Sequence, residues 1–110
     1  MNILIRSDPF SAWLKNLRNP IATARIVARL IAAERGNFGQ VRMLDEGVSE
    51  MKIDVGPGYR VYYMRKAGVI YVLLAGGDKS TQKQDIARAI QMAREIRAEV
   101  KAEKEEESKS

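Results

Sequence analysis

The sequence predicts an α+β domain in which two N-terminal helices pack on a twisted, mainly antiparallel sheet that a C-terminal helix closes. Apolar residues recur at helical spacing up to residue 35, alternate between residues 41 and 75, and return to helical spacing from about residue 81. An Asp-Pro and an Asn-Pro pair precede the first two helical segments, and such pairs are typical of helix starts. The connections between the alternating segments are short enough for hairpins.

The N-terminal third predicts one short strand followed by two helices. Residues 2–6 form an apolar strand that makes the sheet a mixed one. In the first helix Asp8 is expected to cap and Pro9 to occupy the first position. Asn19 and Pro20 repeat this arrangement for the second helix, so residues 9–35 form two helices that meet at a tight corner.

Strands and a last helix account for the rest of the domain. The strand candidates are Val41–Asp45, Val48–Val55, Tyr59–Arg65 and Val69–Ala75. After two glycines the helical period returns, and Thr81 begins a capping-box pattern for the final helix. Residues 1–100 are therefore expected to form one domain, and residues 101–110 a charged tail that frays because it has no apolar stripe to bury.

Composition excludes several kinds of chemistry. The 110 residues include no cysteine and no histidine, which excludes thiol nucleophiles, imidazole bases and zinc sites built from either side chain. We therefore expect no metal and no cofactor. The net charge of +5 favours a polyanionic partner. No apolar run is long enough to cross a membrane and no signal peptide is recognisable, so we expect a cytoplasmic protein with no membrane partner.

Four segments carry a resemblance to a known family. They are LRNPIATARIVARL (17–30), GNFGQV (36–41), GVSEMKIDVGPGYRVYY (47–63) and LLAGGDKSTQKQDIARA (73–89). In this order and at this separation they resemble the HigB-like "addiction module killer" branch of the RelE/ParE toxin superfamily, whose members are toxins of type II toxin–antitoxin systems. The resemblance spans roughly residues 8–97.

The resemblance implies a RelE-like microbial ribonuclease fold and a ribosome-dependent, metal-independent endoribonuclease that cleaves mRNA and inhibits translation. It also implies a helix-turn-helix antitoxin as partner, with operator DNA bound through the toxin–antitoxin complex. ParE-like relatives with the same fold instead poison DNA gyrase, and a non-toxic nucleic-acid-binding regulator is a third possibility. Fold alone does not choose among these functions.

Cleavage of RNA by its own 2′-hydroxyl needs a base, a cation that stabilises the phosphate, and an acid for the departing 5′-oxygen. The resemblance places the catalytic cation at Arg60, after the Gly-Tyr pair, with Tyr62 on the same face of the strand. That face is expected to point to solvent or substrate, and the alternative for Arg60 is an ordinary surface arginine.

Three further residues complete the predicted catalytic set. The resemblance places a basic residue at Lys79, where the alternative is a turn that only caps the last helix. Lys52 is a candidate base or phosphate contact, and its alternative is an exposed ion pair with Asp54. Asp85 is a candidate base, although in the first turn of a helix it would also favour the helix dipole.

Four arginines are candidates for contacts to RNA or the ribosome. Arg18, Arg25 and Arg29 follow steps of seven and four residues, so they lie along one stripe that suits phosphate contacts or an ordinary solvated helix face. Arg65, on the same predicted strand as Arg60, is assigned to the same role.

Overall fold

A computed structural model describes residues 1–109 as three α-helices on a five-stranded mixed sheet, so the predicted α+β class is confirmed. The helices are α1 (Asp8–Asn16), α2 (Pro20–Glu34) and α3 (Gln82–Lys109). The strands are β1 (Ile3–Arg6), β2 (Val41–Met43), β3 (Val48–Ile53), β4 (Tyr59–Ala67) and β5 (Ile70–Asp78). The strand order is β1-β5-β4-β3-β2, with β1 parallel to β5 and all other pairs antiparallel.

The caps of the first two helices follow from polar side chains before each Pro. The cap of α1 is Ser7 and not Asp8 as predicted, because the Ser7 hydroxyl accepts a hydrogen bond from the amide of Phe10 at 3.2 Å. Asp8 lies in the first turn, where a negative charge suits the helix dipole. The predicted cap of α2 is confirmed, since the Asn19 side chain accepts from two amides of the first turn.

Strand β5 continues three residues beyond its predicted end at Ala75. The added residues include Gly76 and Gly77, which read as a turn in the sequence. The structure uses them for close approach instead, because a Cβ on Gly76 would overlap the Trp13 indole and a Cβ on Gly77 would overlap the Asp85 carboxylate. The two glycines thus let a helix pack directly against each face of β5.

The sheet separates two hydrophobic clusters. Helices α1 and α2 cover one face, where Phe10 and Ile26 pack against Met51, Val61 and Tyr63. Helix α3 covers the opposite face, where its small residues allow close packing on the sheet; the residues of this second cluster include Val48, Tyr62, Met64, Leu74, Ala89 and Ala93. The predicted alternation along β4 is confirmed, with Tyr59, Val61 and Tyr63 in the first cluster and Tyr62 in the second.

The start of α3 differs from the predicted capping box at Thr81. A 3₁₀ turn (Lys79–Thr81) precedes the helix, and Asp78 caps that turn by accepting from the amide of Ser80 at 2.8 Å. The Ser80 hydroxyl bond is the main reason that the pKa of Asp78 lies below its usual value. Thr81 instead donates its hydroxyl hydrogen to the Asp85 carboxylate at 2.6 Å.

Helix α3 passes residue 100, the expected domain boundary, without a break and continues to Lys109. The side chains of residues 101–109 are exposed to solvent. None of the helices within residues 1–109 is both long and apolar enough to cross a lipid bilayer.

Candidate functional site

A cleft of about 240 Å³ opens where β2, β3 and β4 meet the first turn of α3. Its lining consists of cations, amides, one carboxylate and a single aliphatic side chain. The seven lining residues are Gln40, Val41, Arg42, Glu50, Lys52, Arg60 and Gln82. Polar side chains that converge in a concave site are the usual mark of a ligand-binding position.

Pairing between β3 and β4 brings the central residues together. Lys52 lies directly opposite Arg60, and Glu50 lies directly opposite Tyr62. Residues two apart on a strand share a face, so all four side chains lie on the face that α3 covers. The predicted placement of Arg60 and Tyr62 on one face of their strand is therefore confirmed, and the structure adds Lys52 to that face.

Glu50 holds the cleft together. Its side chain is only 6% exposed, and its Oε2 accepts hydrogen bonds from Gln82 Nε2 at 2.9 Å and from Arg42 Nη2 at 3.3 Å. The same oxygen lies 3.8 Å from Arg60 Nε. A buried carboxylate needs such partners because removing a charge from water is unfavourable. One glutamate on β3 thus connects β2, β4 and α3.

Arg60 is buried, at 8% exposure. Of the two predicted orientations, toward solvent or toward substrate, the first was wrong because α3 covers the polar face of the sheet, whereas the sequence suggested that helices would cover only the more apolar face. Its Nη1 donates to the carbonyl of Gly58 at 3.1 Å, while its Nε is enclosed without a hydrogen bond. Arg60 therefore forms the inner wall of the cleft.

Tyr62 lies beneath the cleft, and its hydroxyl is enclosed without a hydrogen-bond partner within 3.5 Å. Burial, followed by the nearby Glu50 carboxylate, raises the pKa of the Tyr62 hydroxyl far above its ordinary value. Tyr62 therefore stays protonated throughout the physiological pH range.

Lys52 lies at the mouth of the cleft. Its side chain is 38% exposed, and its Nζ lies 3.6 Å from Asp54 Oδ1, so the predicted ion pair is present. Asp54 is itself 74% exposed, and solvent screens such a pair strongly. Within the lining, Arg42, Lys52 and Arg60 give three positive charges against one negative charge from Glu50. The cleft therefore suits an anion.

Lys79 and Asp85 lie next to the cleft but not in its lining, as far as residues 1–109 show. Lys79 is exposed in the 3₁₀ turn that follows β5. Asp85 accepts the Thr81 hydroxyl and lies over Gly77, which pairs with Arg60 across the sheet. Both residues thus border the neighbourhood of Arg60 without contacting the cleft.

The four arginines predicted to contact RNA do not form one surface. Arg29 donates to the carbonyls of Lys52 at 2.9 Å and Phe38 at 3.0 Å, so its guanidinium joins α2 to β3. Arg18 and Arg25 are exposed on the side of α1 and α2. Arg65 lies toward the other end of β4 and donates to the carbonyl of Gly68 at 2.8 Å.

Five of the seven lining residues of the cleft were missed in the sequence: Gln40, Val41, Arg42, Glu50 and Gln82. The strand pattern did contain a signal for Glu50, because alternation places it on the same face as Lys52, opposite to Met51 and Ile53. Arg42 and Gln82 gave no such signal, since a three-residue edge strand and the first turn of a helix commonly carry exposed polar residues. The part of the chain that the structure describes contains no group of three or more residues suited to hold a metal ion.

Comparison with known proteins gives one relative. No family model matches the chain, and no solved structure matches it. A Haemophilus influenzae protein described as uncharacterized is 46% identical over 97 residues, which cover 87% of this chain and 98% of the relative. Similarity over nearly the whole of both proteins means that the chain belongs to the same family as this uncharacterized Haemophilus influenzae protein.

Proposed function

We propose that the protein is the toxin of a type II toxin–antitoxin module, has a RelE-like fold, and acts as a ribosome-dependent mRNA endoribonuclease in the cytoplasm. The observation that carries the proposal is the cleft in which Arg42, Lys52 and Arg60 surround Glu50. The resemblance of segments 47–63 and 73–89 to RelE/ParE toxins also supports it, and these segments contribute four of the seven lining residues of the cleft.

The cleft supplies the groups that RNA cleavage needs. A phosphate at its mouth contacts Arg42 and Lys52, whose side chains are 59% and 38% exposed. Arg60 adds a fixed positive charge from the inner wall. Preorganised cations of this kind stabilise the charge that develops on phosphate in the transition state.

The proton transfers are assigned to Glu50 and Lys52. The 2′-oxygen attacks phosphorus, and the proton of the 2′-hydroxyl passes to Glu50, the one carboxylate in the described lining. The bond from phosphorus to the 5′-oxygen breaks, a 2′,3′-cyclic phosphate forms, and the Lys52 ammonium gives a proton to the departing 5′-oxygen. In this mechanism Asp85, which accepts the Thr81 hydroxyl, and the exposed Lys79 contact flanking nucleotides.

RNA 5′-end mapping after brief induction tests the proposal. We expect new 5′ ends within translated messages, in register with codons. Arg60→Lys keeps a positive charge near Glu50 but loses the planar fork, and Lys52→Ala removes the ammonium. Each should reduce cleavage by about 10²–10³-fold. Lys15→Ala, an exposed lysine on α1, should cleave normally.

The outcomes also separate the alternatives. Intact messages together with trapped gyrase–DNA breaks would replace the nuclease by a gyrase poison. Absence of both, with growth unaffected, would favour a non-toxic regulator. Full cleavage by folded Arg60→Lys and Lys52→Ala variants would remove this cleft from the mechanism.

The proposal includes a helix-turn-helix antitoxin as partner, with operator DNA bound through the complex. A free nuclease of this kind would inhibit growth, so the cell needs a protein that neutralises it. Coexpression with the product of the adjacent gene should restore growth and yield a stable complex. High expression of the unpaired protein without growth inhibition would contradict this part of the proposal.

A further inference from the structure

A second concave surface lies between β4 and the C-terminal half of α3. This groove, about 420 Å³ in volume, is larger than the cleft and shares no residue with it. The volume falls within the range of roughly 300–1,000 Å³ that is typical of ligand sites. An inference drawn from this groove therefore does not depend on the proposed nuclease activity.

The groove has an aliphatic floor and a positive rim. Met64, Ile96 and Val100 form the floor. The rim consists of five cations, which are Arg65, Lys66, Arg97, Lys101 and Lys104. No carboxylate within residues 1–109 belongs to the lining. A combination of an apolar floor and a rim of positive charges suits an occupant that is both apolar and negatively charged.

Two of the rim arginines are held in place by other parts of the fold. Arg97 Nη1 lies 3.0 Å from Glu46 Oε2, and Arg65 Nε donates to the carbonyl of Gly68. Both contacts restrict the guanidinium groups before any partner arrives, and Glu46 already balances part of the Arg97 charge, so the rim charge offered to a partner comes mainly from Arg65, Lys66, Lys101 and Lys104.

The charges of the C-terminal part of α3 are sorted by face. Arg97, Lys101 and Lys104 follow helical spacings of four and three residues and line the groove. Glu99 and Glu103 belong to a different stripe of the helix and are absent from the lining. Glu99 and Glu103 therefore do not neutralise the rim from within the groove.

We propose that this groove binds an acidic segment of another protein that presents aliphatic side chains to Met64, Ile96 and Val100. Carboxylates of the segment pair with the lysines and arginines of the rim, and its aliphatic side chains fill the floor. This is the arrangement by which apolar grooves bind amphipathic segments.

Two other occupants fit the groove less well. Single-stranded nucleic acid binds through stacking of bases on aromatic side chains as well as through cations, and the described lining contains no aromatic residue. The tail of a second copy, residues 101–110, offers four glutamates but no apolar residue larger than Ala102. It would therefore satisfy the rim and leave the floor exposed.

Selection from a phage-displayed library of random 16-residue peptides tests the proposal on the full chain. Enriched peptides should be acidic and should carry aliphatic residues at recurring positions. The best peptide should bind Lys101→Glu/Lys104→Glu at least tenfold more weakly than the unmodified protein, and Val100→Ser should also weaken binding severalfold. All positions changed lie on the outer turns of α3, so circular dichroism should show an unchanged fold.

The matched control reverses two lysines outside the groove, Lys83→Glu and Lys109→Glu, and should bind the peptide within twofold of the unmodified protein. Failure to enrich acidic, aliphatic peptides would overturn the proposal, as would equal weakening by the control. Displacement of the peptide by oligothymidylate of equal charge at equal concentration would assign the groove to nucleic acid. Self-association that Lys101→Glu/Lys104→Glu abolishes would assign it to a second copy.

Discussion

Replacing Glu50 by glutamine removes the negative charge that lies among Arg42, Lys52 and Arg60 while nearly preserving the shape of the side chain. Arg60, whose side chain is 10% exposed, then keeps its charge with only the Gly58 carbonyl as partner. Leaving one member of a buried ion pair without its counter-charge is strongly destabilising. We therefore expect Glu50→Gln to lower the free energy of unfolding markedly.

The size of the effect follows from the distances. Two unit charges 3.8 Å apart interact by about 4 kcal/mol at an effective dielectric constant near 20. Arg42 adds less than about 1 kcal/mol because its side chain is 59% exposed. The glutamine carbonyl can still accept from Gln82, which recovers part of the loss. We expect a net destabilisation of about 2–4 kcal/mol.

Urea unfolding measures the destabilisation by Glu50→Gln, and two further variants test whether it comes from the pair of Glu50 with Arg60. Arg60→Met should be less destabilising than Glu50→Gln, because Glu50 retains its bonds to Arg42 and Gln82. The double variant should be more stable than the sum of the single losses predicts. Glu46→Gln is the matched control: it removes a carboxylate that also pairs with two arginines, but an exposed one, and should change stability by less than about 1 kcal/mol. A Glu50→Gln protein as stable as the control, or strict additivity, would refute the reasoning.

Two further predictions concern the surroundings of the cleft. Gly77→Ala would force a methyl group into the Asp85 carboxylate and the Thr81 hydroxyl, so urea unfolding should show a free energy of unfolding lower by about 1–3 kcal/mol. Adding Asp85→Ala should restore part of this stability. A Gly77→Ala protein as stable as the unmodified one would contradict the close packing. Tyr62 has a raised pKa, so it stays protonated in the folded chain while it ionises in the unfolded chain above about pH 10. The contribution of protonated Tyr62 to the free energy of unfolding is complete below about pH 10 and should fall as the pH rises above that value. Burial also raises the pKa of Tyr63, so absorbance titration should show two late-ionising tyrosines in the native protein, and Tyr62→Phe should leave one of them; early ionisation of all tyrosines would disprove this.

The sequence predicted most elements of the fold correctly because each of these elements begins, ends and is oriented as the residues within and next to it indicate. The Asn19-Pro20 pair starts α2, and strict alternation orients β4. One error occurred where tertiary contacts override local preference: Gly76 and Gly77 extend β5 because helices pack on both. The error in the cap of α1 is local and amounts to one residue, since the side chain of Ser7 and not that of Asp8 reaches the Phe10 amide.

The candidate site was predictable only in part. The pairing of Lys52 with Arg60 follows from a hairpin whose turn the sequence locates. The roles of Glu50 and Gln82 depend on α3 crossing that face of the sheet, 32 residues away along the chain, and no local pattern states which face a distant helix covers. For the same reason the burial of Arg60 was not predicted.

The parallel pairing of β1 with β5 has a consequence for how the chain folds. Ile3 pairs with Ile70, whereas β2 to β5 form a succession of antiparallel neighbours connected by short turns. Pairing β1 with β5 closes the long loop between Ile3 and Ile70, and closing a loop of this length carries an entropic cost of about 4 kcal/mol. Most other contacts must form before they can offset this cost. We therefore expect the meander to form early and β1 to join last. On the ribosome, β1 is synthesised before β5 and must wait until β5 has left the exit tunnel, so during that interval β1 is unpaired and open to pairing with other chains.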